Sequence, residues 1–431
     1  MKADRLNSTD EMLAGAGGSL GSSRIVQVLW RFPTAVSSAA LRGEWARLNS
    51  GRLSRGAVPA LVPGARRRWV AAHNAEPLHE STRVLTGKTV TEWMDEQIRA
   101  PLPVGSDALW RLAAARCGSG TIVSLTVPHF RSDGLGVFAA IAAPRPRGGP
   151  PPAPSMLGDD IGDALGQVAH AVINSAHWIA RLSADRPERD RVRAALRSAG
   201  SPAPASEPRF FVSAVLDLDA ARWHERAEAR GGTVNSLFVE IAANLVRARV
   251  PRAGDAVTVG IPTNLRRSAA DGRANALVVV PLGLPGGTPQ YDDLVGTRRE
   301  TKAVLRDIGD ASATLVPEPL WHLLPARYST RLKAPGGQQT DVVASNFGPV
   351  PDGVVCFAGA RADSIAVRTM NVPGLVPEKA RLRASLCLSQ VGDRLTVTVT
   401  GIPDQFGDAD ALTRLAVDEF ARWGLAARCW P

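Results

Sequence analysis

The sequence predicts an α/β protein made of two αβ domains with mixed sheets, and three observations support this. The chain of 431 residues is too long for one ordinary domain and long enough for two of about 200 residues each. With 45% hydrophobic and 21% charged residues, its composition is globular rather than disordered or fibrous. Segments with the period of a strand alternate with amphipathic segments that have the period of a helix.

The two halves of the chain open in the same way. Residues 24–32 (RIVQVLWRF) predict a strand, and residues 37–48 predict an amphipathic helix. In the second half, residues 210–218 (FFVSAVLDL) predict a strand, after which Asp219 caps a helix. The repeated order indicates two related halves.

Later segments predict further mixed structure. Thr233 or Asn235 is placed to cap a long helix, and residues 257–262 and 276–282 are apolar enough to be buried strands. Residues 383–400 alternate apolar and polar side chains around a Gly-Asp turn, which indicates a hairpin. Residues 317–328 predict one buried amphipathic helix.

Two proline-rich stretches interrupt these elements. Residues 144–154 (PRPRGGPPPAP) cannot continue a helix or a strand and are interpreted as a connection within the first half. Residues 197–208 (RSAGSPAPASEP) have the composition of an interdomain connection. The boundary is therefore placed near residue 205, with an N-terminal domain over 1–205 and a C-terminal domain over 206–431.

Composition excludes several classes of protein. The net charge of +10 comes almost wholly from arginine, and without a long basic block or many tyrosines it does not indicate nucleic-acid binding. No apolar run approaches the roughly 18 residues of a membrane span, and no secretory signal is visible. Four scattered cysteines indicate neither a metal cluster nor a disulfide framework. We expect a cytoplasmic protein with no metal site.

The segment around His129 is the strongest candidate for a reactive site. A strand over 121–127 leads to His129, and Gly134 opens an apolar helix shortly after Asp133. An imidazole between a strand end and a helix N-terminus is suited to act as a general base near a site that favours negative charge. Asp133 can orient the histidine or hold the loop through an arginine. No Gly-x-Ser-x-Gly motif is present, which disfavours a serine hydrolase.

Residues 128–134 (PHFRSDG) resemble the His-His-x-x-x-Asp-Gly motif of the superfamily that contains condensation domains and chloramphenicol-acetyltransferase-like acyltransferases. Within it, the chain looks most like the bacterial wax ester synthase/diacylglycerol acyltransferase family. Further segments that resemble this family occur in the family's order, at residues 6–13 (LNSTDEML), 108–110 (ALW), 232–235 (GTVN), 260–266 (GIPTNLR) and 344–349 (ASNFGP).

The resemblance implies a role for each matching residue. His129 corresponds to the general base, and Asp133 corresponds to a structural aspartate whose arginine partner matches Arg266. The backbone N–H of Gly134 and the side chain of Asn346 are candidates for stabilising an oxyanion or positioning the substrate. This chain departs from the motif at its first histidine, because Pro128 stands there. Proline stiffens the backbone and removes a donor, so the loop geometry is expected to differ.

The resemblance also implies an architecture and a reaction. Two acetyltransferase-like domains would form a V, with an active-site tunnel at their interface. The leading hypothesis is an acyltransferase that moves an acyl group from acyl-CoA or a carrier-protein phosphopantetheine thioester to a hydroxyl, forming an ester. The alternatives are a free-standing condensation enzyme that forms an amide or ester on a natural-product intermediate, and a non-catalytic binding protein. The acceptor would be a small molecule or a lipid, a carrier protein is the expected macromolecular partner, and peripheral contact with a membrane stays open.

Overall fold

The structure is a computed structural model that describes residues 4–20, 23–103, 105–143, 156–197, 207–250, 256–268, 271–306, 308, 312–329, 331–333, 337–372, 374–378 and 380–430. Within these residues the chain forms two large sheets, one of five strands and one of seven, with helices packed against them. Both sheets contain parallel and antiparallel pairs, so the predicted mixed α/β class is confirmed.

The first half of the chain contributes helices and strands in an irregular alternation. They are α1 (Ser8–Leu20), β1 (Ser23–Phe32), α2 (Ser38–Asn49), β2 (Arg55–Val58), β3 (Arg68–Ala71), β4 (His79–Leu85), α3 (Lys88–Arg99), β5 (Arg111–Cys117), β6 (Gly120–Pro128), α4 (Gly134–Ala142), α5 (Met156–Ala184) and α6 (Arg186–Arg197).

The second half is richer in strands. Its elements are β7 (Val212–Asp219), α7 (Ala220–Glu228), α8 (Val234–Arg249), β8 (Val257–Asn264), β9 (Leu277–Leu284), α9 (Val295–Arg306), α10 (Glu318–Leu323), α11 (Ala326–Ser329), β10 (Val342–Pro349), α12 (Asp352–Val355), β11 (Cys356–Phe357), β12 (Ala360–Arg361), β13 (Ser364–Val372), β14 (Ala384–Val391), β15 (Arg394–Gly401), α13 (Pro403–Phe406), α14 (Ala409–Arg422) and β16 (Arg428–Cys429).

The five-stranded sheet has the order β13-β1-β6-β5-β4. Strand β1 pairs antiparallel with β13 on one side and with β6 on the other, so β1 lies between β13 and the strand that leads to His129. Every residue of β6 is buried, which explains why its sequence is apolar and β-branched rather than alternating.

The seven-stranded sheet has the order β16-β7-β15-β14-β10-β8-β9 and belongs wholly to the second half. Helix α8 covers one face, and its Leu237, Ile241 and Leu245 are buried in the core as their helical spacing predicts. Thr233 caps this helix with its side chain, which also confirms the predicted helix start.

Strand β13 joins the two halves of the sequence. It lies in the second half of the chain, yet it is an edge strand of the five-stranded sheet that the first half builds. A division of the chain into residues 1–205 and 206–431 therefore does not separate the two sheets completely. The boundary near 205 and the proline-rich stretch 144–154 both lie outside the described residues, so they stay predictions.

Most of the predicted elements are present, and one is wrong. The helix predicted over 317–328 is two short helices, α10 and α11, because Pro325 has no backbone N–H and ends the first of them. The strands and the hairpin predicted in the second half are β8, β9 and the pair β14–β15.

Arg368, on β13, provides a direct test of how the two sheets are joined. Its guanidinium is fully buried and donates to Gln27 Oε1 on β1 (2.8 Å) and to Asp95 Oδ1 on α3 (2.6 Å). It also donates to Ser213 on β7 of the other sheet. We expect Arg368→Met to lower the free energy of unfolding in urea by about 3–5 kcal/mol, because it leaves buried polar groups without their partner.

The matched control is Arg83→Met, which breaks an ion pair between two exposed side chains, Arg83 and Glu96. This change should cost less than about 1 kcal/mol. Equal losses in the two variants would show that Arg368 does not join the sheets.

Candidate active site

A cavity lies between the two halves of the chain. Its walls include Leu13, Arg24 and His129 from the first half and Asn346 and Asn371 from the second. The space between the walls is about 1110 Å³, including the part that is open to solvent.

His129 enters this cavity from the end of β6. Its backbone N–H donates to Arg24 O on β1 (2.8 Å), so residue 129 continues the ladder in the direction of β1. The backbone N–H of the preceding residue would point away from β1, towards β5, whose pairing with β6 ends at Thr126. Pro128 therefore occupies a position that needs no ladder donor, and its pairing with Ile25 continues the register of β6 with β1.

The hydrogen bonds of Asn275 determine which ring nitrogen of His129 carries the proton when the imidazole is neutral. The amide nitrogen of Asn275 donates to Phe130 O (3.0 Å) and to Asp10 Oδ1 (2.8 Å), and both of these atoms accept. Its Oδ1 must then face His129 Nδ1, which lies 3.0 Å away. Because an amide oxygen only accepts, the imidazole proton sits on Nδ1 and the lone pair of Nε2 is free to accept a proton.

The environment of His129 keeps the imidazole neutral. Burial lowers the pKa of His129, and the nearby positive charge of Arg24 lowers it further, while Asp133 acts in the opposite direction. A neutral imidazole with a free Nε2 at pH 7 has the properties of a general base.

Asp133 and Arg266 form a buried ion pair beside the histidine. Arg266 Nη1 lies 2.9 Å from Asp133 Oδ1, and both side chains are less than a tenth exposed. The same carboxylate caps α4 by accepting from Gly136 N (2.7 Å) and accepts from Ala276 N (2.9 Å). With three contacts to its carboxylate, Asp133 fixes the loop that follows His129.

Gly134 and Asn346 both line the cavity. A Cβ atom on Gly134 would lie 2.3 Å from the ring of Phe347, so only glycine fits there, and its N–H is in the first turn of α4, where helical N–H groups lack intrahelical acceptors. Asn346 is exposed at the cavity rim, where its amide nitrogen donates to Asn235 Oδ1 (3.2 Å) and its oxygen accepts from Gly348 N (2.9 Å).

Two residues of this site were missed at the level of sequence. Asn275 immediately precedes a predicted strand, and Asp10 lies in the opening helix, where it forms a reciprocal cap with Asn7. The spacing of Asn7 and Asp10 indicates the cap. No local pattern indicates that Asn275 contacts His129 or that Asp10 contacts Asn275. Asp10 is 1% exposed, and its burial raises its pKa to about 7. The hydrogen bonds from Asn275 and Asn7 lower the pKa, but by less than burial raises it.

No group of three or more His, Cys, Asp and Glu side chains in the part of the chain that the structure describes is arranged to hold a metal ion. None of the helices described is both long enough and apolar enough to cross a bilayer.

Known structures with the same fold are found across the whole chain. The first condensation domain of the calcium-dependent antibiotic synthetase, in complex with a substrate analogue, matches with a TM-score of 0.61 and 16% identity, over 98% of this chain and 96% of that one. The starter condensation domain of rhizomide synthetase, a mutant in complex with C8-CoA and Leu-SNAC, matches with a TM-score of 0.57 and 14% identity, over 98% of this chain and 95% of that one.

The wax ester synthase/diacylglycerol acyltransferase from Marinobacter aquaeolei VT8 also matches. Its TM-score is 0.54 at 14% identity, over 97% of this chain and the whole of that one. No family model and no curated protein matches the sequence. At these identities the likeness establishes the fold: the chain has the condensation-domain and acetyltransferase-like fold that the motif around His129 implies.

Asp10 gives a pH-dependent test of this site. Its pKa in the folded protein, about 7, lies above its ordinary value of 3.8, so the folded state binds the proton more tightly than the unfolded state. Asp10 therefore makes the protein less stable as the pH rises from about 4 to 7. We expect the free energy of unfolding of the wild type, measured by urea denaturation, to fall relative to that of Asp10→Asn as the pH rises from 5 to 8. A difference that stays constant with pH would contradict the buried, protonated Asp10.

Proposed function

We propose that this protein is an acyltransferase that moves an acyl group from a thioester to a hydroxyl acceptor, with His129 as the general base. The observation that carries this proposal is the neutral imidazole with a free Nε2 in a cavity between the two halves. The fold adds support, because condensation domains and a wax ester synthase share it over nearly their full length.

The reaction needs one proton acceptor and no covalent enzyme intermediate. The acceptor hydroxyl gives its proton to His129 Nε2 while its oxygen attacks the thioester carbon. The tetrahedral intermediate then collapses, the C–S bond breaks, and the imidazolium returns the proton to the departing thiolate. The products are an ester and a free thiol, so atoms and charges balance.

The surrounding residues have supporting roles in this proposal. Asn275 and Asp10 hold the imidazole in the tautomer that accepts at Nε2. The ion pair between Asp133 and Arg266 keeps the carboxylate ionised and the loop rigid. The Gly134 N–H is the candidate donor to the oxyanion, and Asn346 is placed to contact the substrate at the rim.

The donor would be acyl-CoA or an acyl group on a carrier protein, entering a tunnel between domains 1–205 and 206–431. The rhizomide synthetase domain was crystallised with C8-CoA, which supports a thioester of this type. No permanently bound cofactor takes part. Surface arginines would meet nucleotide phosphates or the acidic surface of a carrier protein, in keeping with the net charge of +10.

A second candidate is a free-standing condensation enzyme that acts on a natural-product intermediate. The observation that favours it is the similarity to condensation domains, one of which was crystallised with the aminoacyl compound Leu-SNAC. The same His129 would serve an amine or a hydroxyl nucleophile. The two candidates therefore differ in the acceptor and not in the catalytic group.

The test is a set of acyl-CoA donors with alcohol and amine acceptors, with the products measured by mass spectrometry. We expect ester formation by the wild type, and a loss in kcat/KM of roughly a hundred- to ten-thousand-fold in His129→Ala, the range for removal of a general base. A preference for amines would favour the condensation enzyme.

The matched control is His224→Ala. His224 is exposed on α7, where its Nδ1 contacts Ala220 O (2.7 Å), and it lies outside the cavity lining. This variant should keep the wild-type rate. If His129→Ala also kept it, or if no donor were used, the catalytic proposal would be wrong and the chain would be a binding protein with this fold.

A further inference from the structure

Three side chains from neighbouring strands form a row along one end of the five-stranded sheet. Arg24 on β1 lies opposite Asn371 on β13, and on its other side it receives the backbone hydrogen bond of His129. Directly opposite residues of antiparallel strands point to the same face, with Cβ atoms about 4.5–5.5 Å apart. Arg24 therefore stands between His129 and Asn371, and all three line the cavity.

The charge of Arg24 has no counterion in the part of the chain that the structure describes. Two other fixed charges line the cavity, and these, Asp133 and Arg266, neutralise each other. Burial alone lowers the pKa of the Arg24 guanidinium, with no carboxylate near enough to oppose it. An arginine remains charged even so, which leaves one uncompensated positive charge beside the reacting imidazole.

Asn371 provides a second and independent sign of a missing partner. The side chain is only 6% exposed, and its Nδ2 has no hydrogen-bond partner among the residues that the structure describes. A buried amide N–H group without an acceptor is costly, and such groups are rare in folded proteins. Arg24 and Asn371 thus present unused N–H donors side by side, towards the same cavity.

We propose that Arg24 and Asn371 form a recognition site for a carboxylate carried by one of the two substrates close to its reacting group. This inference rests on the proposed transferase function, because it names the class of substrate for the same cavity. The planar guanidinium would hold the carboxylate through two parallel hydrogen bonds, and the amide of Asn371 would donate a third.

The position of the row decides which anion fits. Arg24 is a cross-strand neighbour of His129, so the anion it binds lies within one side-chain length of the reacting thioester. The phosphates of coenzyme A are separated from the thioester by the whole pantetheine arm and cannot reach this point. The carboxylate therefore belongs to the acyl group itself or to the acceptor.

Binding such a group would also assist the base. Burial lowers the pKa of His129, and the charge of Arg24 lowers it further, so the imidazole is neutral before the substrate arrives. A bound carboxylate would offset that positive charge and make the imidazolium easier to form during the reaction. With a substrate that lacks the carboxylate, the positive charge of Arg24 would oppose the positive charge that forms on His129 when it accepts the proton.

The experiment compares matched substrates in the full-length protein. In the acceptor arm, ω-hydroxyhexanoate is compared with its methyl ester; in the donor arm, glutaryl-CoA is compared with pentanoyl-CoA. The variants are Arg24→Met, Arg24→Lys and Asn371→Ala. The control is Arg116→Met, which changes an exposed arginine at the end of β5, outside the cavity lining.

We expect wild type to prefer the carboxylate form in one arm by about 30-fold or more in kcat/KM, the usual consequence of leaving a buried charge unpaired. Arg24→Met should abolish this preference, Asn371→Ala should reduce it, Arg24→Lys should restore part of it, and Arg116→Met should leave it unchanged. The arm in which the preference occurs identifies the substrate that carries the carboxylate. No preference in either arm, or a preference that survives Arg24→Met, would overturn the proposal.

A binding measurement separates this inference from the proposed function. Titration calorimetry of glutaryl-CoA and ω-hydroxyhexanoate with His129→Ala needs no turnover. Binding that disappears when Arg24→Met is added would support the carboxylate site even if no transfer occurred with any substrate. Binding that does not depend on Arg24 would reject the site even if transfer by His129 were established.

Discussion

The hydrogen bond between His129 Nδ1 and Asn275 Oδ1 determines what the cavity can do. Without it, the imidazole proton could occupy either nitrogen, and the ring could rotate. The bond has a fixed direction because the other end of the Asn275 amide faces Phe130 O, a backbone carbonyl that only accepts. A contact remote from the substrate thus determines which ring nitrogen of the neutral imidazole faces the cavity without a proton.

The sheet topology brings the remaining groups to that imidazole. Strand β1 pairs with β6 and with β13, so the end of one sheet collects side chains from distant parts of the sequence. Asp133 and Arg266, from opposite halves, lock the loop beside it. His129 is therefore a neutral base next to Arg24, a cation without a counterion among the described residues. The other two charged residues in the cavity lining, Asp133 and Arg266, form an ion pair with each other.

Sequence reasoning identified the parts of this site that are encoded locally. The strand, the histidine, the aspartate and the apolar helix of residues 120–142 follow from periodicity and capping, and the fold follows from the resemblance. The row of His129, Arg24 and Asn371 could not be predicted, because it depends on the register of strands that are far apart in the chain. The same holds for Asn275, whose role comes from its contacts with His129, Phe130 and Asp10 in the other half of the chain.

The protonation of His129 tests the account most directly, and nitrogen NMR of the protein labelled with ¹⁵N-histidine measures it. The account predicts a neutral ring at pH 7 with its proton on Nδ1, and a pKa below the ordinary imidazole value of 6.5. A ring protonated on Nε2, or one that carries both protons at pH 7, would leave no lone pair facing the cavity and would contradict the role of His129 as a base.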